Sequence, residues 1–328
     1  MKVLVTGATG FTGKALATKL NSLGRDVRVI VRNSKKVDFA NNSDYDIFEG
    51  SIVDEEAVEK AVKGVDVIFH IAATFREPGI TDQIYHDVHV KATLNLLKAA
   101  KKFGVKKFVH CSTGGVHGHI EHPPANEEYR YSPGDIYQIT KLEGELKALE
   151  FYKETGLPVS VVRPTPIYGP GDMRLLKLYK MAKQPVTILL GNGKMFYHLV
   201  YIDDLVDGFI LASEKDKAVG ESFLIGGPDI PNLNEIMDTI SDIAGFSKTK
   251  IHLPAYPVQI AGTICEKICI PLGIDPPLYR RRVDFFTKSR SFDISKAKNL
   301  LDYQPKISSS EGLKKTAEWY KMKGHLSY

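Results

Sequence analysis

Residues 3–13 read Val-Leu-Val-Thr-Gly-Ala-Thr-Gly-Phe-Thr-Gly, a short apolar run followed by glycine at every third position. The run is typical of a buried strand, and the residues after it begin a helical pattern. Gly7 would permit a tight turn, Gly10 would let backbone approach a pyrophosphate, and Gly13 would let the helix pack close to the strand. Because a strand precedes this turn and a helix follows it, a dinucleotide-binding turn is favoured over a purely structural glycine turn.

Buried strands and helices alternate through the first half of the chain. Continuous apolar, mostly β-branched runs predict strands at 2–5, 27–31, 65–71, 107–111 and 158–162. The helical patterns between them stop at glycines, which commonly cap helices: Gly24, Gly64, Gly104 and Gly156. This alternation predicts an α/β fold with a doubly wound parallel (Rossmann) sheet in residues 1–168. A smaller, mixed substrate-binding lobe is expected in residues 169–328, with some segments returning to the first domain.

The second half is richer in glycine and proline, and its helices are shorter. Helices are predicted at 205–213, capped by Asp203 or Asp204, and at 233–244 and 311–321. Residues 258–274 are apolar but interrupted by Glu266 and Lys267. This pattern favours a core or lobe helix over a segment lying on a membrane surface, and it leaves peripheral membrane contact open.

Composition excludes several classes of protein. The chain has 328 residues, 43% hydrophobic and 25% charged, which are ordinary values for a globular protein. Three cysteines favour a reducing, cytoplasmic compartment over a disulfide framework. No stretch of 18 uncharged apolar residues exists, so a membrane span is not expected. The net charge of +5 is a small excess spread along the chain, which is weak support for nucleic-acid binding.

The residue after the second predicted strand bears on the type of dinucleotide. NAD-specific sites usually have Asp or Glu there, on the ribose hydroxyls. This chain has Arg32, followed closely by Lys35 and Lys36. A guanidinium can pair with a 2′-phosphate, so NADP(H) is favoured over NAD(H). The alternative is that Arg32 is only solvent-exposed and that an acidic partner comes from elsewhere.

Two polar groups are expected at the carboxyl edge of the sheet. Tyr137 and Lys141 are four residues apart and would share one face of a helix. Free tyrosine, with a pKa of about 10, is a poor base at neutral pH, and a neighbouring ammonium favours the phenolate. Thr113 follows the strand at 107–111, where its hydroxyl could bind a substrate carbonyl or merely satisfy local backbone.

Taken together, six segments resemble the extended short-chain dehydrogenase/reductases, also called the NAD-dependent epimerase/dehydratase family. They are TGATGFTG (6–13), FHIAA (69–73), CSTGGVHG (111–118), YQITK (137–141), RPTPIYGPGD (163–172) and YIDD (201–204). Arg32 and the C-terminal segments are most similar to the branch of 3β-hydroxysteroid dehydrogenases and dihydroflavonol 4-reductases. The resemblance implies that Thr113 holds the substrate oxygen, that Tyr137 is the acid/base, and that Lys141 binds the nicotinamide ribose.

The resemblance also implies contacts with cofactor, substrate and a second subunit. The cofactor-binding residues would be Gly7, Thr9, Gly10, Phe11, Thr12, Gly13, Arg32, Ser51, Ile52, Ile71, Ala72, Ala73, Tyr137, Lys141, Pro164 and Ile167. Candidate substrate contacts are Thr74, Phe75, Gly114 and Tyr197. A homodimer is expected through helices at 84–102 and 136–153.

Three positions depart from the family pattern. His89 stands where the family often has Asn, Ser51 where it often has Asp, and His117 where it usually has Tyr. These departures leave local hydrogen bonding open rather than removing the catalytic set. His110, His117, His119 and His122 lie close in sequence, but no set of carboxylates or cysteines completes a metal site, so none is expected.

Three functions follow from this reading. The first is an NAD(P)-dependent oxidoreductase that moves hydride between nicotinamide and a ketone or secondary alcohol of a fairly hydrophobic small molecule. Its expected apolar lining is Phe196, Tyr197, Tyr256, Ile260, Phe285 and Phe286. The second is an NAD-dependent nucleotide-sugar 4-epimerase or 4,6-dehydratase, although Tyr197 and His198 stand where those proteins commonly have Arg-Asp. The third is a non-catalytic NADP-binding sensor, a class that typically lacks the Tyr137 and Lys141 pair.

Overall fold

A computed structural model describes residues 1–39, 41–75, 79–269, 272 and 280–327. In chain order its strands are β1 (Lys2–Thr6), β2 (Asp26–Val31), β3 (Asp46–Glu49), β4 (Val67–His70), β5 (Lys107–Cys111), β6 (Val159–Pro164), β7 (Ile167–Tyr168), β8 (Thr187–Leu190), β9 (Val200–Tyr201), β10 (Ser222–Ile225) and β11 (Lys250–Leu253). Seven of them form one parallel sheet in the order β10-β6-β5-β4-β1-β2-β3. The order reverses beside β1, as in a doubly wound sheet, and this confirms the predicted fold class.

Helices cover both faces of this sheet. They are α1 (Phe11–Ser22), α2 (Glu55–Val62), α3 (Asp82–His86), α4 (Ala92–Lys102), α5 (Ile136–Thr155), α6 (Leu176–Ala182), α7 (Ile202–Glu214), α8 (Leu233–Ala244), α9 (Ala255–Cys269), α10 (Arg280–Thr287), α11 (Ser295–Leu301) and α12 (Ser309–Met322). Helices α2, α4 and α5 pack side by side on one face, and α1 and α7 pack together on the other. The two faces explain why the central strands are apolar on both sides.

All five predicted strands are present, with ends shifted by at most two residues. Two strands of the sheet were not predicted. Strand β3 is a half-exposed edge strand with an acidic residue at each end, so it lacks the continuous apolar run of a buried strand. Strand β10 has only four residues, although all of them are buried. Both are therefore too short or too polar to stand out from periodicity alone.

Helix ends that were predicted from glycine residues are confirmed. Gly24 and Gly156 end α1 and α5 with φ of 72° and 71°, the left-handed region that glycine adopts without strain. The predicted cap of α7 is wrong. Tyr201 precedes its first residue, and Asp204 is buried within the first turn, where its carboxylate accepts the N–H groups of Lys306 and Ile307 at 2.9 and 3.0 Å. Asp204 therefore anchors the C-terminal segment instead of capping the helix.

The second half of the chain forms a lobe with two small sheets, β7 with β9 and β8 with β11. Strand β10 and helix α7 belong to this half but pack on the large sheet. The division at residue 168 stays a prediction.

Helix α9 lies within residues 258–274, the region predicted as a core or lobe helix. Residues 270–271 and 273–274 of that region are outside the described residues. Helix α9 is a lobe helix and not a core helix, because Gly262 is its only buried residue.

Candidate active site

A cavity of about 1070 Å³ opens at the carboxyl ends of the sheet strands and extends into the lobe. Of the 21 residues predicted to contact cofactor or substrate, nineteen line it: Gly7, Thr9, Gly10, Phe11, Thr12, Gly13, Arg32, Ser51, Ile52, Ile71, Ala72, Ala73, Thr74, Phe75, Thr113, Tyr137, Pro164, Ile167 and Tyr197. Gly114 and Lys141 do not line it. Gly114 is buried against the Phe292 ring and the Pro164 carbonyl, and Lys141 is buried with 1% of its surface exposed.

The glycine turn between β1 and α1 is shaped by two close approaches. Gly7 has φ of 73°, and a Cβ there would lie 2.8 Å from Ala72 Cα. A Cβ on Gly13 would lie 2.2 Å from the Gly7 carbonyl oxygen, so α1 can approach the turn only with glycine at this position. The start of α1 has no side-chain cap and no acidic residue in its first turn. Its N–H groups and dipole therefore fit the pyrophosphate of a nicotinamide dinucleotide.

Arg32 follows β2 at the rim of the cavity, with an exposed side chain. Among the described residues, no carboxylate forms an ion pair with it. Glu49, at the end of β3, accepts the Ser34 N–H at 2.9 Å, and its contact with Ser34 lowers the pKa of the carboxyl group. Glu49, which pairs with Val31 across β2 and β3, is thus held by the loop that follows Arg32, and the guanidinium stays available to an anion.

Thr113 ends the segment after β5 and caps a short 3₁₀ turn. Its Oγ1 accepts the Gly115 N–H at 3.0 Å, so its hydroxyl proton remains able to donate to an oxygen in the cavity. The local-backbone role and the substrate role are therefore compatible at this residue.

Tyr137 and Lys141 lie in the first two turns of α5. The Tyr137 ring makes edge contacts with Phe75 at 5.0 Å and His89 at 5.5 Å between centroids. Lys141 is buried, and its Nζ donates to the Cys111 carbonyl oxygen. Burial lowers the pKa of Lys141, because the charged ammonium is held away from water. The cation thus lies between α5, which carries Tyr137, and the end of β5, two residues before Thr113.

His89 is a functional neighbour whose role the sequence left open. It lies in a single π-turn (Asp87–Lys91) between α3 and α4, a feature frequent at functional sites. Its Nε2 accepts the Thr74 N–H at 3.0 Å, which fixes the proton on Nδ1, and Nδ1 donates to Thr140 Oγ1 at 2.7 Å. Burial lowers the pKa of His89 to about 2, so the ring is neutral. His89 thereby joins the loop after β4 to helix α5, beside Tyr137.

A second buried histidine continues this network. His70 bonds Thr6 Oγ1 at 2.9 Å through Nδ1 and Thr93 Oγ1 at 3.0 Å through Nε2. Thr93 donates in turn to the His89 carbonyl oxygen at 2.7 Å. Thr6 Oγ1 also accepts the N–H groups of Ile71 and Ala72. Neutral histidines therefore connect the strand before the glycine turn to the helix that carries Tyr137.

Stability is expected to fall in acid because these histidines are held neutral. Burial lowers the pKa of His70 to about 3 and that of His89 to about 2. Below a pH of about 6.5 the unfolded chain binds protons that the folded chain does not. Each histidine should therefore lower the free energy of unfolding by about 1.4 kcal/mol for each pH unit. Urea unfolding between neutral and acidic pH measures this slope. His89→Gln should reduce this slope by the contribution of one histidine, and a slope equal to that of the wild type would contradict the neutral, buried state of His89.

A buried ion pair that the sequence did not reveal contacts Ser112, the residue before Thr113. Glu145 of α5 and Arg163 of β6 are each almost fully buried and are linked by several hydrogen bonds, one of them from Arg163 Nε at 2.9 Å. Ser112 Oγ also donates to Glu145 at 2.5 Å. Only the Arg-Pro at the end of β6 and a charge in the middle of α5 could have suggested the pair. It ties β6 and α5 to the residue next to Thr113.

The lobe contributes a wall that is mostly apolar. Residues there that sequence reasoning missed are Arg174, Leu175, Leu178, Ile236, Arg290 and Phe292. Of the six aromatic and aliphatic residues expected to line it, Tyr197 and Phe285 do so. Phe196, Phe286, Tyr256 and Ile260 do not, and the last two are exposed on α9. The apolar content of the lobe was thus recognised, but not the direction in which each side chain points.

The four histidines that are close in sequence have different environments, and His119 is half-buried. His110 is buried in β5, His117 stacks on Tyr131 and contacts Arg163, and His122 is exposed. Within the described ranges, no group of three or more His, Cys, Asp or Glu side chains could hold a metal ion.

The fold and site define a nicotinamide-dinucleotide enzyme, and comparison with known proteins gives its family. The model of the NAD dependent epimerase/dehydratase family matches residues 3–226. The chain belongs to this family, whose members include dehydrogenases, epimerases and dehydratases of the extended short-chain type.

The similar proteins include both steroid dehydrogenases and a nucleotide-sugar epimerase. The chain is 28% identical to a 3 beta-hydroxysteroid dehydrogenase/Delta 5→4-isomerase of Mycobacterium tuberculosis over 97% of this chain and 90% of that protein. It is 30% identical to 3beta-hydroxysteroid-dehydrogenase/decarboxylase isoform 1 of Arabidopsis thaliana, over 80% of this chain but only 63% of that longer protein. The structure of UDP-glucose 4-epimerase from Thermotoga maritima, with UDP-glucose, is similar with a TM-score of 0.77, 27% identity and coverage of 98% and 99%.

Helices that could cross a bilayer are not found among the residues that the structure describes.

Proposed function

We propose that this protein is an NADP(H)-dependent dehydrogenase or reductase acting on a ketone or secondary alcohol of a fairly hydrophobic small molecule. The observation that carries the proposal is one cavity shared by three features: the glycine turn, the Thr113 and Tyr137 hydroxyls, and an apolar lobe wall that includes Leu175 and Phe285. In this arrangement a reacting oxygen can meet both hydroxyls while the remainder of the substrate is held by apolar contacts.

In this proposal the residues divide the chemistry of ketone reduction between them. A bound reduced nicotinamide would supply hydride to the carbonyl carbon. Thr113 donates a hydrogen bond that orients the carbonyl oxygen, and Tyr137 gives its phenolic proton to that oxygen as the alcohol forms. The Lys141 ammonium, buried one turn further along the same helix, would stabilise the phenolate that Tyr137 becomes. Oxidation of the alcohol uses the same groups in reverse.

The hydrophobic substrate class has support from the lobe and from the relatives. Leu175, Leu178 and Ile236 contribute aliphatic side chains to the wall opposite the hydroxyls. Two of the named relatives are described as acting on 3β-hydroxysteroids, which are apolar secondary alcohols. We therefore place the chain in the branch of steroid dehydrogenases and related ketone reductases.

A nucleotide-sugar 4-epimerase or 4,6-dehydratase is the second candidate. Its support is the similarity to the Thermotoga maritima epimerase, together with Arg174 and Arg290 on the cavity wall, whose cations suit a diphosphate. Against it, buried Tyr197 occupies the position where an arginine is common. Calorimetric titration with UDP-glucose tests this candidate: micromolar affinity would favour the epimerase, and no measurable heat would favour the reductase.

Quaternary structure and compartment remain predictions. We propose a cytoplasmic homodimer formed through α4 and α5, the helices expected from the sequence. Ile84, Ile139 and Leu146 support this interface, because they are large apolar side chains exposed on or next to these helices. The 84–102 helix is interrupted by the π-turn, so the interface would use α3, α4 and α5 together.

Changing Arg32 should change the preferred dinucleotide. Arg32→Asp is expected to weaken NADPH binding by about 10- to 100-fold, since a charged hydrogen bond to the 2′-phosphate is lost and a repulsive charge is added. NADH binding should be unchanged or tighter, because a carboxylate can accept from the ribose hydroxyls. Fluorescence titration with both dinucleotides measures this, with Lys19→Asp on exposed α1 surface as control. Equal effects on NADPH and NADH would rule out a 2′-phosphate contact.

A further inference from the structure

Helix α9 carries a row of large apolar side chains on its outer surface. Tyr256, Ile260, Ile264 and Ile268 are spaced by four residues and are 72%, 43%, 53% and 56% exposed. Residues four apart lie one above another on a helix, so these side chains form one continuous strip, here called the α9 ridge. Leu272, the next residue at this spacing, is 67% exposed. An apolar strip of this length is unusual on a surface that faces only water.

The two-stranded sheet immediately before α9 adds to the apolar surface. Ile188 of β8 and Ile251 of β11 are paired in register and therefore lie on one face of that sheet, and both are exposed. Leu253, two residues after Ile251, lies on the same face and is also exposed. The lobe thus presents apolar side chains from a sheet as well as from a helix.

The positive charge of the chain is concentrated in the same segment. Residues 248–290 contain eight Lys and Arg and three Asp and Glu, a net charge of +5 that equals the net charge of the whole chain. The rest of the chain has 36 basic and 36 acidic residues. The excess is therefore not spread along the sequence, although part of it is paired in the fold. Lys248, Lys250 and Lys288 form ion pairs with Asp242, Asp238 and Asp284, and Arg290 lines the cavity. The basic residues that bear on α9 are Lys267 and the arginines at 280–282. Three of the eight are consecutive arginines that begin α10, which packs against α9, and exposed Lys267 lies on α9 itself.

An apolar helix strip within a cationic segment matches the chemistry of an anionic membrane surface. Helix α9 has 15 residues, about 22 Å of helix, which is shorter than the roughly 20 residues needed to span a bilayer. It can instead lie in the plane of the headgroups with its apolar side inward. We propose that the α9 ridge docks this protein on the surface of an anionic phospholipid bilayer.

A second copy of the chain fits the ridge less well. One helix strip presents much less than the roughly 800 Å² per partner that stable protein interfaces bury. A concentrated positive charge would also repel its own copy across a two-fold axis, because each side would present the same charges. The exposed apolar side chains Ile84, Ile139 and Leu146 offer a separate surface for a dimer.

Docking through α9 would bring the cavity wall close to the bilayer. Gln259 of α9 donates to the Thr287 hydroxyl of α10 at 3.3 Å, and α10 carries Phe285 into the cavity wall. A substrate dissolved in the bilayer would then meet the apolar side of the cavity first. The docking itself does not depend on the proposed reaction, since it can be measured without substrate or cofactor.

Vesicle flotation of the full chain tests the proposal. Wild-type protein should float with vesicles made of equal parts phosphatidylcholine and phosphatidylglycerol, and much less with phosphatidylcholine alone. The double variant Ile260→Glu/Ile264→Glu should lose at least about tenfold in vesicle affinity. The matched controls Leu23→Glu and Met322→Glu replace exposed apolar side chains elsewhere and should bind as the wild type does.

Two results would overturn the proposal. One is wild-type protein that floats with neither vesicle, or that is unaffected by the double substitution. The other is an assembly, seen by analytical ultracentrifugation, that the double variant dissociates while vesicle binding is absent, which would make the ridge an interface between copies. Thermal unfolding of each variant verifies folding, and exposed positions are expected to leave it nearly unchanged.

Discussion

Replacing Tyr137 with phenylalanine is expected to lower kcat by about 10²- to 10⁴-fold, the range that general acid–base groups contribute. The ring contacts with Phe75 and His89 do not need the hydroxyl, so the substitution removes the proton donor and keeps the shape of the site. NADPH affinity should therefore change little. Single-turnover oxidation of NADPH, followed by absorbance together with a binding titration, separates the two quantities.

A matched control comes from a tyrosine outside the cavity. Tyr256→Phe removes a hydroxyl from the exposed surface of α9 and should retain full turnover in the absence of membranes. If Tyr137→Phe also retained full turnover on the true substrate, Tyr137 would not be the acid/base and the proposed chemistry would be wrong.

Truncating Glu145 is expected to destabilise the fold by about 3–5 kcal/mol, the usual cost of removing one member of a buried ion pair. Glu145→Ala would leave the Arg163 guanidinium charged and buried with only neutral partners such as the Glu127 carbonyl oxygen and Tyr131. It would also remove the acceptor for Ser112 Oγ and Ser222 Oγ. Urea unfolding of the variant against wild type gives the difference in the free energy of unfolding.

An exposed ion pair supplies the comparison for Glu145. Glu56 and Lys60 of α2 form an i,i+4 pair with both side chains mostly exposed, so Glu56→Ala should cost less than about 1 kcal/mol. A loss for Glu145→Ala as small as that for Glu56→Ala would mean that the buried network contributes little to holding β5, β6 and α5 together.

The sequence predicts those parts of the fold that short-range signals determine. The turn at Gly7, Gly10 and Gly13 can be recognised because three evenly spaced glycines follow an apolar run, and because Gly13 must approach the Gly7 carbonyl within the same turn. Strand β5 and helix α8 are predicted at their observed ends because a continuous apolar run or a cap followed by a clear helical period marks them. Strand β3 was missed because an edge strand with polar ends lacks the pattern of a buried one.

Features that depend on long-range packing could not be predicted. A helical apolar period shows that one side of α9 is apolar, but it does not show whether another element covers that side, and none does among the described residues. The sequence shows that histidine stands at position 89, where the family often has asparagine. It does not show the bonds of His89 to Thr74 and Thr140, which depend on how the loop after β4 meets α5. The pairing of Lys141 with Tyr137 on one helix face stays a prediction, whereas the burial of Lys141 against the Cys111 carbonyl oxygen follows from tertiary packing alone.

The most direct test of the proposed function is transfer of deuterium from NADPH labelled at nicotinamide C4 to hydrophobic ketones. One equivalent of NADPH should be oxidised per alcohol formed, and the deuterium should appear on the carbinol carbon of the product. The contradicting result would be protein that retains bound NAD⁺ and interconverts UDP-sugars with no net change in nicotinamide absorbance, which would make the chain a nucleotide-sugar epimerase.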